Sequence, residues 1–182
     1  MPSTTSTDRF GSLSIALHWL MLVLLAGVYC AMEFRGLFPK GSDGRTLMAL
    51  THFSLGISVY ILVWLRIAAR FAGPTPAISP APAAWQNALA RLMHLALYAF
   101  MIGMPLCGWV MMNTGGKAVP FFGFELPILL AENHALHEQL EELHELGATL
   151  GYVLIAAHAA AALFHHYVQK DNTLLRMLPR RS

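Results

Sequence analysis

The sequence predicts an all-α integral membrane protein folded as one four-helix bundle. Three observations predict it. Of 182 residues, 56% are hydrophobic and 12% are Asp, Glu, Lys or Arg, about half the charge of a soluble domain. Four stretches are apolar over the roughly 20 residues a helix needs to cross a bilayer. Nine histidines stand beside ten acids, and His18, His52, His94, His144 and His158 fall within or close to those stretches. The same arithmetic excludes other classes. The chain is too hydrophobic to be disordered. A net charge of +2 is too small a footprint for nucleic acid. Two cysteines do not staple a fold of this size.

The first span, residues 13–32, carries no formal charge. It contains His18 and Trp19 and lacks a small-residue cleavage site, so it reads as a retained helix rather than a leader. Bulky Tyr29 before Cys30 argues against a lipoprotein signal. Residues 33–46 are polar, with Pro39, Gly41 and Gly44. The second span, 47–69, is interrupted only by Arg66. Residues 73–84 hold Pro74, Pro76, Pro80 and Pro82 and cannot be helical throughout. The third span, 89–112, has Arg91 near its start. Residues 113–133 form a long loop rich in Gly and Pro. The fourth span, 143–168, has no Lys, Arg, Asp or Glu between Leu146 and Phe164. Backbone groups in lipid must pair within their own segment, so all four spans should be helices.

Basic residues near the span ends set the orientation. Arg9, Arg66, Arg70, Arg91, Lys170, Arg176, Arg180 and Arg181 lie on one side. Arg35, Lys40, Arg45 and Lys117 lie on the other. Eight against four puts both termini in the cytoplasm of a bacterial inner membrane.

Ionisable residues inside a membrane are costly and point to function. Depth groups these five. His18 and His94 come early in spans that start inside. His52 comes early in a span that starts outside. His144 and His158 are 14 residues apart, about 21 Å along a helix and about 40° around it. One face of the fourth helix therefore carries an imidazole near each membrane surface. Steps of seven from His137 give His144, Gly151, His158 and His165. Gly151, and Gly56 one turn beyond His52, would let a bulky planar ligand approach the backbone.

Two imidazoles from facing helices suit the axial positions of a haem iron. By depth, His52 pairs with His144, and His158 pairs with His18 or His94. Closed axial positions favour electron transfer over oxygen binding. No Cys-x-x-Cys-His occurs, which excludes covalent attachment. A zinc protease is disfavoured, because His137-Glu138 is followed by Glu141 where His-Glu-x-x-His needs histidine.

The remaining features read as structural. Gly147-x-x-x-Gly151 could pack helices within the bundle or make a homo-oligomer. Trp19 and Trp109 mark interfacial belts. Glu138, Glu141, Glu142 and Glu145 form a solvated helical face. Cys30 and Cys107 read as free thiols.

The stretches SIALHWL around His18, YCAMEFRGLFP, THFSLGIS around His52, HELGATLGY around His144 and AAHAAAALFHHYVQKDNTLLRMLPR closely resemble the prokaryotic cytochrome b561 family. The resemblance runs from about Phe10 to Arg181 and is weakest in the loop from Asn113 to His137. It implies two non-covalent b haems, with His18 and His158 on the inner one and His52 and His144 on the outer one. His94 then becomes a neighbour of the inner site. The family is similar to superoxide oxidase, which passes electrons from superoxide to ubiquinone. Arg35, Lys40 and Arg45 would raise the local superoxide concentration. His165, His166, Arg70 and Lys170 would hold a quinone or a propionate. Two other readings stand beside this one. The first is a quinol-linked cytochrome b serving a periplasmic redox partner. The second is a haem-free, histidine-lined transporter.

Overall fold

Four long helices account for most of the chain: α1 (Ser12–Arg35), α2 (Asp43–Ala72), α3 (Ala84–Thr114) and α4 (His134–Phe164). The computed structural model describes residues 8–179; Arg180 and Arg181, counted above as inner-side charge, lie outside the described residues. Each helix is long and apolar enough to cross a membrane. The molecule is an all-α membrane four-helix bundle.

The helices overrun the expected spans, because hydropathy marks only the part in lipid. α2 starts at Asp43, where the Ser42 side chain accepts from the Arg45 amide at 3.3 Å. α4 starts at His134 rather than near 143. Asn133 caps it by accepting from the Leu136 amide at 3.1 Å, one of the donors a helix start leaves unpaired. The acidic residues Glu138, Glu141, Glu142 and Glu145 then lie exposed along its first turns.

α1 packs closely on α2, and α3 on α4, while α2 also meets α3. α1 and α4 stand further apart. They are tied by the Tyr29 hydroxyl donating to the Ala148 carbonyl at 2.8 Å and Tyr152 donating to Glu33 at 2.7 Å. The buried core is small and central: Met21, Val59, Val63 and Met101. Outside it, large apolar side chains such as Val23, Leu95 and Val153 are exposed. Hydrocarbon solvates such a surface, so only the centre needs dense packing.

The end of the bundle that carries both termini, expected to face inward and so called the inner end, is capped by three interlocking segments. The Phe10 amide donates to the Arg176 carbonyl at 3.1 Å, and Trp19 donates to that of Met177 at 2.8 Å. Arg176 donates to the Pro76 carbonyl of the proline-rich loop. The Arg70 and Arg176 guanidinium groups lie 5.3 and 5.6 Å from the Phe10 ring centre. A π-helical turn, His165–Gln169, leads into this tail.

The outer loop is not merely a turn-rich connection. It contains a two-stranded hairpin, β1 (Pro120–Phe121) with β2 (Phe124–Glu125), in which Pro120 faces Glu125. Phe122 and Gly123 make the turn at φ 47° and 89°. The Phe122 amide donates to Ser54 Oγ at 3.2 Å, which lays the hairpin against α2. Buried Asn113 pins the rest. Its amide donates to the Lys117 carbonyl at 3.0 Å and its oxygen accepts from the Leu129 amide at 2.9 Å.

Candidate functional site

Histidines from different helices meet at two depths. At the outer level His52 of α2 faces His144 of α4, with ring centres 6.2 Å apart and planes at 75°. At the inner level His18 of α1 faces His158 of α4, again at 6.2 Å, with planes at 70°. His94 of α3 also approaches His158, at 5.7 Å and 65°. The rings that approach one another are those expected at equal depth, and both inner candidates converge on His158.

Two histidines cannot cage a bare ion, and no cluster of three or more His, Cys, Asp or Glu suited to a metal occurs among the described residues. A haem brings its own four equatorial nitrogens, so two imidazoles suffice. Metal–imidazole bonds of about 2.0–2.1 Å, with each ring centre about 1.2 Å behind its nitrogen, put two coaxial ring centres about 6.4–6.6 Å apart. The 6.2 Å spacings of His52–His144 and His18–His158 lie within a few tenths of an ångström of that range.

The surroundings fit as well. The His52 Nδ1 lies 3.1 Å from the Val28 carbonyl. A carbonyl can only accept, so Nδ1 carries the proton and Nε2 keeps its lone pair for a metal. The His144 Nδ1 is buried without a protein partner, which a native interior rarely tolerates. A narrow slot at this level is lined by His52, Phe53, Gly56, Pro105, Gly108 and His144, among others. At Gly56 an added Cβ would meet nothing within 4 Å. That open space beside His52 is where a flat macrocycle would need room.

Between the two levels the bundle is closed. At Gly151 an added Cβ would run into the Tyr29 hydroxyl and the Phe100 ring, and at Gly147 into the Met104 sulfur. The small-residue pair is thus covered within the chain, and two separate sites remain above and below.

A second feature opens beside the outer pair. A cavity of about 290 Å³ is lined by Arg35, Gly41, Arg45, Thr46, Ala49, Leu50 and Phe53. Arg45 donates to the carbonyls of Arg35 and Phe38, at 3.3 and 3.2 Å. The Arg35 Nε is buried without a partner. Lys40, expected with them, does not line the cavity; its side chain is exposed. It follows Pro39 in the turn before the helix, so no element holds it over the site.

The inner end gathers the other expected residues. His165 Nδ1 meets Asp171 Oδ2 at 2.6 Å, and the Asp171 Oδ1 accepts from the Thr173 amide at 2.8 Å. Burial raises the pKa of Asp171, but the His165 and Thr173 hydrogen bonds outweigh it, so the carboxyl sits below its ordinary range. The His166 Nδ1 is buried without a partner. Arg70 binds the Thr75 hydroxyl at 2.7 Å. Lys170 is exposed at the end of the π-helical turn, and its backbone amide donates to the His165 carbonyl.

Other histidines are structural. His137 Nδ1 donates to the Met111 carbonyl at 2.8 Å, joining α4 to the end of α3. His134 makes an exposed 3.3 Å contact with Glu132. Cys30 and Cys107 are both free.

Sequence reasoning missed two residues. Arg66 was read only as a charge near a span end. Its guanidinium donates to His18 Nδ1 at 2.9 Å, and its other terminal nitrogen is buried without a partner. A cation within a span was the available signal. Phe53 was missed entirely, because an aromatic residue in an apolar stretch has no signal of its own.

Residues 9–180 match a family model described as prokaryotic cytochrome b561. The chain is 47% identical over 174 residues to cytochrome b561 homolog 1 of Escherichia coli (strain K12), covering 96% of this chain and 99% of that protein. It is 36% identical over 173 residues to probable superoxide oxidase CybB of Yersinia pestis, covering 95% and 97%. It is 31% identical over 178 residues to cytochrome b562 of Cereibacter sphaeroides, covering 96% and 98%.

Proposed function

The chain belongs to the prokaryotic cytochrome b561 family, and from that premise we propose that it takes electrons from superoxide and delivers them to ubiquinone. Its class is a membrane b-type cytochrome with an electron-transfer role. The finer reading is two haem b groups, one per histidine pair, in a bacterial inner membrane with both termini cytoplasmic.

His52 and His144 would hold the outer haem, and His18 and His158 the inner one. The equal 6.2 Å spacing of these two pairs supports His18 over His94. A haem held by two histidines stores one electron reversibly and leaves no open coordination position. Arg66 supports the inner assignment. A propionate carboxylate is a better acceptor for its guanidinium than an imidazole, and it would free the His18 lone pair.

The donor reading rests on one observation, the two-arginine cavity beside Phe53 at the outer end. Superoxide is a small anion that crosses lipid poorly. Arg35 and Arg45 attract it, and the exposed start of α2 adds the positive end of a helix dipole. A cavity of this size suits a small anion better than a protein partner, which disfavours the quinol-linked carrier. At the inner end His165, His166 and Arg70 are the polar groups available to ubiquinone. His165 has its Nδ1 committed to Asp171.

Rapid mixing with superoxide tests the reading. The haems should be reduced at a rate that falls with ionic strength, and about tenfold in Arg35→Gln or Arg45→Gln. Haem reduction no faster than in a superoxide-free control would overturn it.

A further inference from the structure

Phe53 belongs to both outer hollows. It lines the arginine cavity together with Arg35 and Arg45, and it lines the slot that holds His52, Gly56 and His144. No other residue lines both. Its ring stands edge-on to His52, with centres 6.0 Å apart and planes at 75°. The ring is thus the partition between a solvent-facing cationic vestibule and the apolar slot at the outer histidine pair.

We propose that Phe53 is the residue that selects the electron donor: it keeps the outer redox centre out of reach of anything larger than a small anion. The inference rests on the superoxide reading and names the device that makes it selective. Arg35 and Arg45 draw anions of any size into the vestibule, so charge alone does not discriminate. An aromatic wall does. A diatomic anion is small enough to reach the ring's edge, where the quadrupole is positive, pass one electron to the oxidised haem that His52 and His144 would hold, and leave as dioxygen, with no proton moved. A bulkier reductant such as ascorbate is stopped a ring's thickness further away. Excluding it matters, because a membrane cytochrome open to every soluble reductant would drain them into the quinone pool.

The position supports a wall rather than a mere packing residue. Phe53 is half-buried, whereas its neighbour Ser54 is fully buried and holds the hairpin. Ile57, one turn on, fills the bundle interior. The ring is therefore not needed to complete the core.

The test compares haem reduction by three donors in the haem-loaded protein: superoxide, the small radical anion supplied by dithionite, and ascorbate. In Phe53→Ala, the ascorbate rate should rise at least about tenfold, the discrimination a shaped apolar site supplies. The two small donors should change less than about threefold. Phe53→Trp keeps the wall and should leave ascorbate as slow as in the parent. An equilibrium redox titration should give the same outer midpoint potential in all three proteins, which separates access from driving force. An unchanged ascorbate rate in Phe53→Ala, or a midpoint shift that accounts for the gain, overturns the proposal. Failure of superoxide alone to reduce the parent would sink the donor reading. The dithionite and ascorbate arms would still decide whether Phe53 is the wall.

Discussion

Glycines on the ligand faces show how much single atoms decide here. Gly151 sits against the Tyr29 hydroxyl and the Phe100 ring, neither of which can retreat far. Gly151→Ala should lower stability by about 1–3 kcal/mol, as overpacking does, and thermal unfolding in detergent would register it. Gly56 is the opposite case, with nothing within 4 Å of an added Cβ. Gly56→Leu should leave the fold intact yet cost the outer haem, read as a halved haem content per chain. Full haem occupancy in that variant would mean the space beside His52 is not the cradle. Asp171 gives a pH prediction. Its folded pKa lies below the ordinary carboxylate value, so its contribution is complete above that value and is lost as pH falls through the lowered one. Proteolysis of the C-terminal tail should therefore accelerate in acid, and Asp171→Asn should flatten that dependence. The ligand candidates were legible in the sequence because a histidine in an apolar stretch is conspicuous and its depth follows from its count along a helix. Arg66 and Phe53 were not, since their roles depend on which side chain lies across the bundle.

Elements were legible where lipid defines them and obscure where water does. Hydropathy located all four helices but cut α4 short, because residues 134–142 are polar and continue the helix outside the bilayer. Asn133 as a cap was readable in principle; the hairpin between β1 and β2 was not. It depends on Asn113, which is 2% exposed and bridges Lys117 and Leu129, the latter 16 residues away. No local pattern announces such a bond. Asn113→Ala would leave the Leu129 amide and the Lys117 carbonyl without this partner in a partly buried loop, at a cost of about 1 kcal/mol for each lost hydrogen bond. Hydrogen exchange at Leu129 should rise in that variant while exchange in the α2 core around Val59 stays protected. If both regions loosen together, the loop and the bundle form one cooperative unit.

At the scale of the whole molecule, the two histidine levels sit in unlike ends. The outer level has an arginine-lined cavity beside it and lies under a pinned hairpin. The inner level lies beneath a cap woven from the N-terminal segment, the proline-rich loop and the C-terminal tail. The basic residues that predicted orientation belong partly to this cap: Arg70 and Arg176 flank Phe10. The asymmetry makes the two sites separable by mutation. α4 supplies one ligand candidate to each level, and Gly151 with its aromatic cover lies between them. Removing an imidazole at one level should therefore leave the other intact, because the Tyr29 hydroxyl and the Phe100 ring close over Gly151 between them. His52→Ala should lose one b haem and His158→Ala the other, each variant keeping about half the reduced-minus-oxidised absorbance. The surviving signals should differ between the variants, because one pair donates to a backbone carbonyl and the other sits beside a guanidinium. His94→Ala separates the remaining alternative: it should keep both haems if His18 partners His158, and lose the inner one if His94 does. Loss of both haems from His52→Ala would show instead that the two levels form a single site.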